Sequence, residues 1–171
     1  MYSYPYPHPA VTTDSVVFTI RGETLNVLLI ERGCEPGIGQ LAFPGGFVDI
    51  DEHIDDCARR ELAEETGLTG VELEQFYAFG APQRDPRERI ITVAYLALIN
   101  SDGVQLTAGD DAARADWYPA RDLPALAADH DAIAERALLH LAERLEMSDI
   151  ALGLLPDEFR IEDLQRIYEL I

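Results

Sequence analysis

The chain has 171 residues, 47% hydrophobic and 26% charged, the balance of one globular domain able to bury a sizeable core. Its formal net charge is −19 and all of its basic residues except histidine are arginine, so the surface repels nucleic-acid phosphates and no direct nucleic-acid binding is expected. The absence of a run of about 18 apolar residues, and of a basic leader followed by an apolar stretch, argues against a membrane span and a signal peptide and makes a cytoplasmic location the expectation.

Residues 1–10 interleave Pro5, Pro7 and Pro9 with Tyr2, Tyr4, Tyr6 and His8, which precludes a regular helix or central strand and suggests a tail or an arm draped on a partner. Segments 11–20 and 25–31 read as strands of a hairpin turning at Arg21-Gly22-Glu23. A loop over 33–39 leads to Leu41-Ala42-Phe43-Pro44-Gly45-Gly46, where two glycines let the backbone approach a ligand or bend sharply. A helix follows, with an acidic start at Asp51 or Glu52, an apolar stripe of Ile54, Cys57, Ala58 and Leu62, and a stop at Gly67. Strands are expected at 71–79, 89–99 and 113–117, the second enriched in β-branched residues. After the Leu123-Pro124 break, a helix over 131–146 carries Ile133, Ala137, Leu138, Leu141 and Leu145 on the face that packs on the sheet. Segment 154–171 reads as a capped amphipathic helix with Phe159, Ile161, Leu164, Ile167, Tyr168 and Ile171 on its apolar side. Together these elements predict a mixed α/β sandwich. Cys34 and Cys57 share no ligand spacing and read as free, buried, inert thiols. His53, His130 and His140 show no ligand spacing, and no role is expected of them.

The first helix carries the chemistry. Glu61, Glu64 and Glu65 fall at three- and four-residue spacings, which bring Cβ atoms within about 5 to 6 Å of one another. Carboxylates so placed call for a cation, and hard oxygen donors select Mg²⁺ or Mn²⁺, ions that keep positions for water and substrate phosphates. The plainer alternative is an acidic solvated face, the reading given to Asp49, Asp51, Asp55 and Asp56.

Gly46, Glu52, Arg60, Glu61, Leu62, Glu64, Glu65, Gly67 and Leu68 match every specified position of G-x5-E-x7-R-E-U-x-E-E-x-G-U, where U is aliphatic. This stretch resembles the Nudix box, and a chance match has a probability on the order of 10⁻⁹ per register. The resemblance covers about residues 11–146. It implies a Nudix α/β/α sandwich with a mixed sheet and a catalytic loop-helix-loop. It also implies a hydrolase in which Glu61, Glu64 and Glu65, with Glu52 as a further candidate, hold Mg²⁺ (Mn²⁺ possible) while water attacks phosphorus. Arg60 is either a phosphate contact or an orienting partner of Glu52.

Outside the box, Pro82 stands fifteen residues beyond Gly67, as in enzymes resembling ADP-ribose pyrophosphatases. Arg84-Asp85-Pro86-Arg87 is similar to a segment of the same subgroup. Arg84 and Arg87 then become candidates to clamp a diphosphate or terminal ribose, with solvated turn arginines as the alternative. Gly45 and Gly46 complete the expected substrate contacts. The loop Ala108-Gly109-Asp110-Asp111-Ala112 also resembles that subgroup and offers Asp110 or Asp111 as general base or additional metal contact, or else a simple turn. Trp117 either stacks on adenine or, the commoner case, belongs to the core. Segment 147–171 is similar to the opening helix of the winged-helix module in Nudix-related transcriptional regulators of NAD metabolism, which divides the chain into an arm (1–10), a Nudix domain (11–146) and a helical remnant of such a module. A homodimer is expected by resemblance. Two functions follow from these comparisons: hydrolysis of ADP-ribose, or a related nucleoside diphosphate derivative, to AMP and ribose 5-phosphate; or sensing of ADP-ribose in a regulator whose DNA-binding part this chain lacks.

Overall fold

The computed structural model describes residues 5–109, 112–156 and 158–171. Tyr2 and Tyr4 of the expected arm, Asp110 and Asp111, and Asp157 lie outside the described residues. Strand β1, Ala10–Arg21, is buried from Thr12 to Thr19. A run that is inaccessible on both faces belongs at the centre of a sheet covered on each side. It pairs antiparallel with β2, Thr24–Arg32, through a tight turn at Gly22-Glu23 in which Gly22 takes a φ of +65°. The expected hairpin is present.

The strand order is β3-β2-β1-β5-β4, with β6 also paired to β2. Here β3 is Leu41–Ala42, β4 Glu74–Phe79, β5 Ile90–Leu98 and β6 Ala112–Pro119. Strands β1 and β5 run parallel in unbroken register from Ala10↔Ile90 to Phe18↔Leu98, and the other pairings are antiparallel. The sheet is therefore mixed. Helix α1, Ile54–Thr66, covers one face, where Leu62 meets Val17, Leu28 and Ala97. Helix α2, His130–Met147, covers the other, where Ile133, Ala137 and Leu141 meet Val16, Phe18, Leu96 and Leu29. This is the expected α/β/α sandwich.

Several local expectations change. The cap of α1 is His53, whose Nδ1 accepts from the Asp55 N–H at 3.3 Å, rather than Asp51 or Glu52. Gly67 does end the helix, in the left-handed conformation at φ 76°. Strand β4 starts at Glu74, three residues later than expected. Asp55 is not merely solvated: the Tyr95 hydroxyl donates to its Oδ1 at 2.5 Å and Gln75 Nε2 donates at 3.0 Å, tying the start of α1 to β5 and β4. The C-terminal helix α3 is shorter than expected, Ile161–Leu170, with a 3₁₀ turn at Ile150–Leu154 before it. Pro156 forces its predecessor out of the helical region, and Leu155 is extended. The start of α3 is fixed by Asp163, which accepts from the Arg160 N–H at 2.9 Å. Ile167 of α3 and Leu154 of the 3₁₀ turn enter the main core. Trp117 is partly buried against the α1-side core, as its core reading requires. Among the described residues, no helix is long and apolar enough to cross a membrane.

Candidate active site

Strand β1 pairs with β2 only over Phe18–Arg21, and the segment 44–48 lines the edge of its first half. Ser15 N–H donates to the Pro44 carbonyl at 2.8 Å, Thr13 N–H to the Gly46 carbonyl at 2.9 Å, and Val48 N–H to the Val11 carbonyl at 3.0 Å. Contact is too close for side chains. A Cβ on Gly45 would lie 2.0 Å from the Thr13 carbonyl oxygen, and one on Gly46 would lie 2.3 Å from Glu61 Oε1. These glycines let the α1 carboxylates approach the central strand.

Arg60 organises the acidic face. Its Nε and Nη2 bind the two Glu52 oxygens at 2.7 and 2.8 Å, its Nη1 reaches Glu61 at 2.7 Å and Glu64 at 3.2 Å, and Nη2 also donates to the Phe47 carbonyl at 3.2 Å. The Arg60 hydrogen bonds pull Glu52 down to a pKa of about 2. The three carboxylates of the expected metal site therefore do not meet at one point: Glu61 and Glu64 close on a guanidinium, and among the described residues no group of three His, Cys, Asp or Glu side chains is arranged to hold an ion. Glu64 is more than half exposed, and neither it nor Glu52 lies on the wall of the cavity described below.

Glu65 differs from its neighbours. It is 8% exposed, and its Oε2 accepts from the Gly45 N–H at 2.8 Å. Burial pushes its pKa up to about 8 against the lowering effect of that bond, and the charges of Glu61 and Asp14 add to the rise. Burial raises Glu61 as well. Two carboxylates deprived of water, with hard oxygen donors directed to one cleft, fit a divalent cation, which would restore their ionised forms.

The cleft is a cavity of about 460 Å³ whose lining includes Glu61, Glu65, Gly45, Gly46, Asp14, Phe43, Arg84 and His130. Arg32, Arg60, Arg84 and Arg87 all lie on its wall, four of the 13 arginines of a chain with net charge −19. The same wall carries Asp14, Asp49, Glu61, Glu65 and Asp85, so the cleft favours an anionic ligand only where a cation offsets these carboxylates. The Arg84 side chain is 5% exposed and forks onto Asp129 at 2.6 and 2.9 Å, which rules out the solvated-turn reading for it. Arg87 forks onto Asp85 at 2.8 and 3.0 Å and lies over the Phe47 ring, 5.1 Å from its centroid. Pro82 is exposed and off the cavity wall.

Asp110 and Asp111 lie outside the described residues, but their loop starts against α1. Thr107 N–H donates to the Thr66 carbonyl at 2.9 Å, and a Cβ on Gly109 would lie 1.9 Å from the Glu64 carbonyl oxygen. The cysteines divide. Cys57 is buried, with its thiol pushed up to about 11 by burial, whereas Cys34 is exposed and borders the cavity, contrary to its buried expectation.

Sequence reasoning passed over Asp14, Asp129 and His130. An aspartate within the Thr-Thr-Asp-Ser-Val-Val run of β1 was the available signal, since a buried acid in a central strand is unusual. His130 offered none, because its partners Phe43 and Asp14 are distant in sequence.

The NUDIX domain family model matches residues 9–141. The chain is 35% identical over 170 residues to the ADPR responsive transcriptional repressor NtrR of Acinetobacter baylyi, an alignment spanning 97% of this chain and 68% of the relative. It is 37% identical over 128 residues to the ADP-ribose pyrophosphatase of Methanocaldococcus jannaschii, spanning 75% and 72%. The NUDIX domain of Shewanella oneidensis NrtR, solved as a complex with ADP ribose, superposes with a TM-score of 0.74 at 32% identity, covering 81% of this chain and 94% of that one.

Proposed function

The chain belongs to the Nudix hydrolase family, and from that premise we propose that it splits the diphosphate of ADP-ribose, or of a closely related nucleoside diphosphate derivative, into AMP and ribose 5-phosphate. One observation carries the reading: the nearly buried Glu65 carboxylate, raised to about 8, faces an arginine-lined cavity beside Glu61. Glu61, Glu64 and Glu65, with Glu52 as a further candidate, would hold Mg²⁺ or Mn²⁺. When bound, that ion supplies neutralisation of the diphosphate oxygens and acidifies the attacking water.

The remaining work falls to the chain. Gly45 and Gly46 admit the diphosphate close to the backbone. Arg60, held by Glu52, orients the carboxylates and is positioned to release Glu61 and Glu64 when a stronger cation competes for them. Arg84 and Arg87, their forks held by Asp129 and Asp85, present remaining N–H donors to the ribose and anionic portions of the ligand. Asp110 or Asp111 takes the proton of the water. In this reading the molecule is a cytoplasmic homodimer, with residues 1–10 as an arm, 11–146 as the hydrolase and 147–171 as a helical appendage.

A second reading has an observation of its own. The likeness to the repressor NtrR spans 97% of the chain and so reaches into α3, beyond the residues matched by the family model. The chain is then an ADP-ribose sensor whose control of NAD metabolism needs binding rather than turnover. Incubation with Mg²⁺ and ADP-ribose, with AMP release followed by chromatography beside a panel of dinucleotides, sugar nucleotides and oxidised nucleoside triphosphates, separates the two. Selective AMP release supports the hydrolase, and tight binding without turnover supports the sensor.

A further inference from the structure

The cavity has a second polar wall that diphosphate chemistry does not use. Asp14 is 7% exposed on the central strand and opens onto the cavity. Thr92 Oγ1 donates to its Oδ2 at 2.7 Å, which fixes the plane of the carboxylate. Oδ2 lies 3.8 Å from Arg84 Nη2, and Oδ1 lies 3.7 Å from His130 Nε2. Both separations exceed hydrogen-bond length. Neither donor is free to close its gap. Arg84 is anchored by its fork onto Asp129, and His130 by accepting the Phe43 N–H on Nδ1 at 3.0 Å while its ring stacks on Phe43 at 5.6 Å. Because Nδ1 accepts, a neutral ring carries its proton on Nε2, the nitrogen that faces Asp14. Burial favours that neutral form.

One carboxylate thus presents each of its oxygens across a gap to a separate, anchored N–H donor. A hydroxyl is the group that donates to one side of such a gap and accepts from the other, and about 2.8 Å to each side is compatible with the spacing. Two gaps on a single carboxylate ask for two hydroxyls on adjacent carbons. A phosphate there would be repelled by Asp14. The wall also adjoins the Glu65 cleft, since a Cβ on Gly45 would come within 3.0 Å of Asp14 Cα and the Gly45 N–H is bound to Glu65.

We propose that Asp14, with Arg84 and His130 as anchored donors, binds the vicinal diol of a ribose next to the diphosphate and so determines specificity for ribosyl substrates. The proposal rests on the ADP-ribose reading, whose substrate carries two riboses.

The test compares kcat/KM of the full chain and of its Asp14→Asn variant on ADP-ribose and on two analogues, one lacking the 2-hydroxyl of the adenosine ribose and the other that of the terminal ribose. Loss of one charge-assisted hydrogen bond corresponds to roughly 10- to 100-fold. The wild type is expected to lose that factor on one analogue, which identifies the ribose concerned. Asp14→Asn is expected to lose at least that factor on ADP-ribose and on the other analogue, and clearly less on the sensitive one, which retains only one of the two hydroxyls. Turnover of the sensitive analogue then also serves as the control for folding. If Asp14→Asn fails to fold, His130→Gln takes its place in the same comparison, and if ADP-ribose binds without turnover, the comparison is read on Kd. Equal penalties on all three compounds, or no wild-type loss on either analogue, overturn the diol assignment alone. If the wild type shows no binding and no cleavage of ADP-ribose, the functional reading is overturned and the diol assignment with it.

Discussion

Replacement of Glu65 by glutamine tests the site at its most unusual group. The native carboxylate is 8% exposed and has a pKa of about 8 against an ordinary 4.5, with burial as the main cause. The native state therefore holds a proton that the unfolded chain releases between those values. Without metal, stability is fully present below about pH 4.5 and declines as pH rises, levelling off above the folded pKa of about 8. A displacement of that size corresponds to about 3 to 5 kcal/mol. Glutamine keeps an oxygen for the Gly45 N–H and removes the charge, so Glu65→Gln loses the decline attributable to Glu65. At about 2 to 4 °C per kcal/mol for a chain of this size, the variant should melt roughly 10 °C above wild type at pH 8.5 in chelator.

Divalent metal should then reverse the order. A cation favours the ionised carboxylate, so Mg²⁺ should raise the wild-type melting temperature at pH 8.5 more than that of Glu65→Gln. The same variant should lower kcat by several orders of magnitude if Glu65 holds the ion as proposed, because that charge is gone. Parallel pH–stability curves for the two proteins, together with near-normal turnover in the variant, would refute the assignment of Glu65.

Gly45→Ala should destabilise the fold and Gly46→Ala should mainly reduce activity, since the first Cβ meets the Thr13 backbone at 2.0 Å and the second a movable Glu61 side chain at 2.3 Å. Denaturation midpoints and kcat measured on both variants check the contrast, and equal effects would contradict it. Arg84→Ala leaves Asp129 without its fork and Asp14 without its nearest guanidinium, so urea unfolding should reveal a loss of about 3 to 5 kcal/mol. Arg84→Lys should recover part of the stability while leaving kcat/KM low. A net charge of −19 without lysine is compatible with a saline cytoplasm, a GC-rich genome or both; if salt supports the fold, the chain should melt at clearly higher temperature in molar salt than in dilute buffer, and a flat response would refute saline adaptation.

Much of the fold was legible because its signals are local. The hairpin follows from β-branched runs around Arg21-Gly22-Glu23, α1 from its apolar stripe and Gly67, and α2 from the spacing of Ile133, Ala137 and Leu141. The parallel joining of β1 to β5 and the placement of β6 along β2 had no such signal, since both depend on which burial satisfies distant segments together. Boundaries moved where a single side chain outweighed the pattern. His53 captured the first turn of α1, and Pro156 delayed α3 to Ile161.

The acidic helix marks the limit more sharply. Spacing correctly put Glu61, Glu64 and Glu65 on neighbouring positions of one helix, but it does not specify what each carboxylate faces. Arg60, itself one residue before Glu61, bends back to occupy Glu61 and Glu64 while gripping Glu52, so part of the negative charge is already neutralised within the chain. Glu65 escapes that neutralisation because its Oε2 is taken by the Gly45 amide rather than by the guanidinium. The uncompensated charge needed for a metal site therefore rests on one buried glutamate and its half-buried neighbour Glu61, and a cation entering there must compete with Arg60 for the latter. Removing the competitor should separate these roles: Arg60→Gln frees Glu61 and Glu64, so it should tighten Mg²⁺ binding measured by calorimetry while weakening catalysis through lost orientation of Glu52 and Glu61. Weaker Mg²⁺ binding in that variant would mean that Arg60 builds the ion site rather than contends for it.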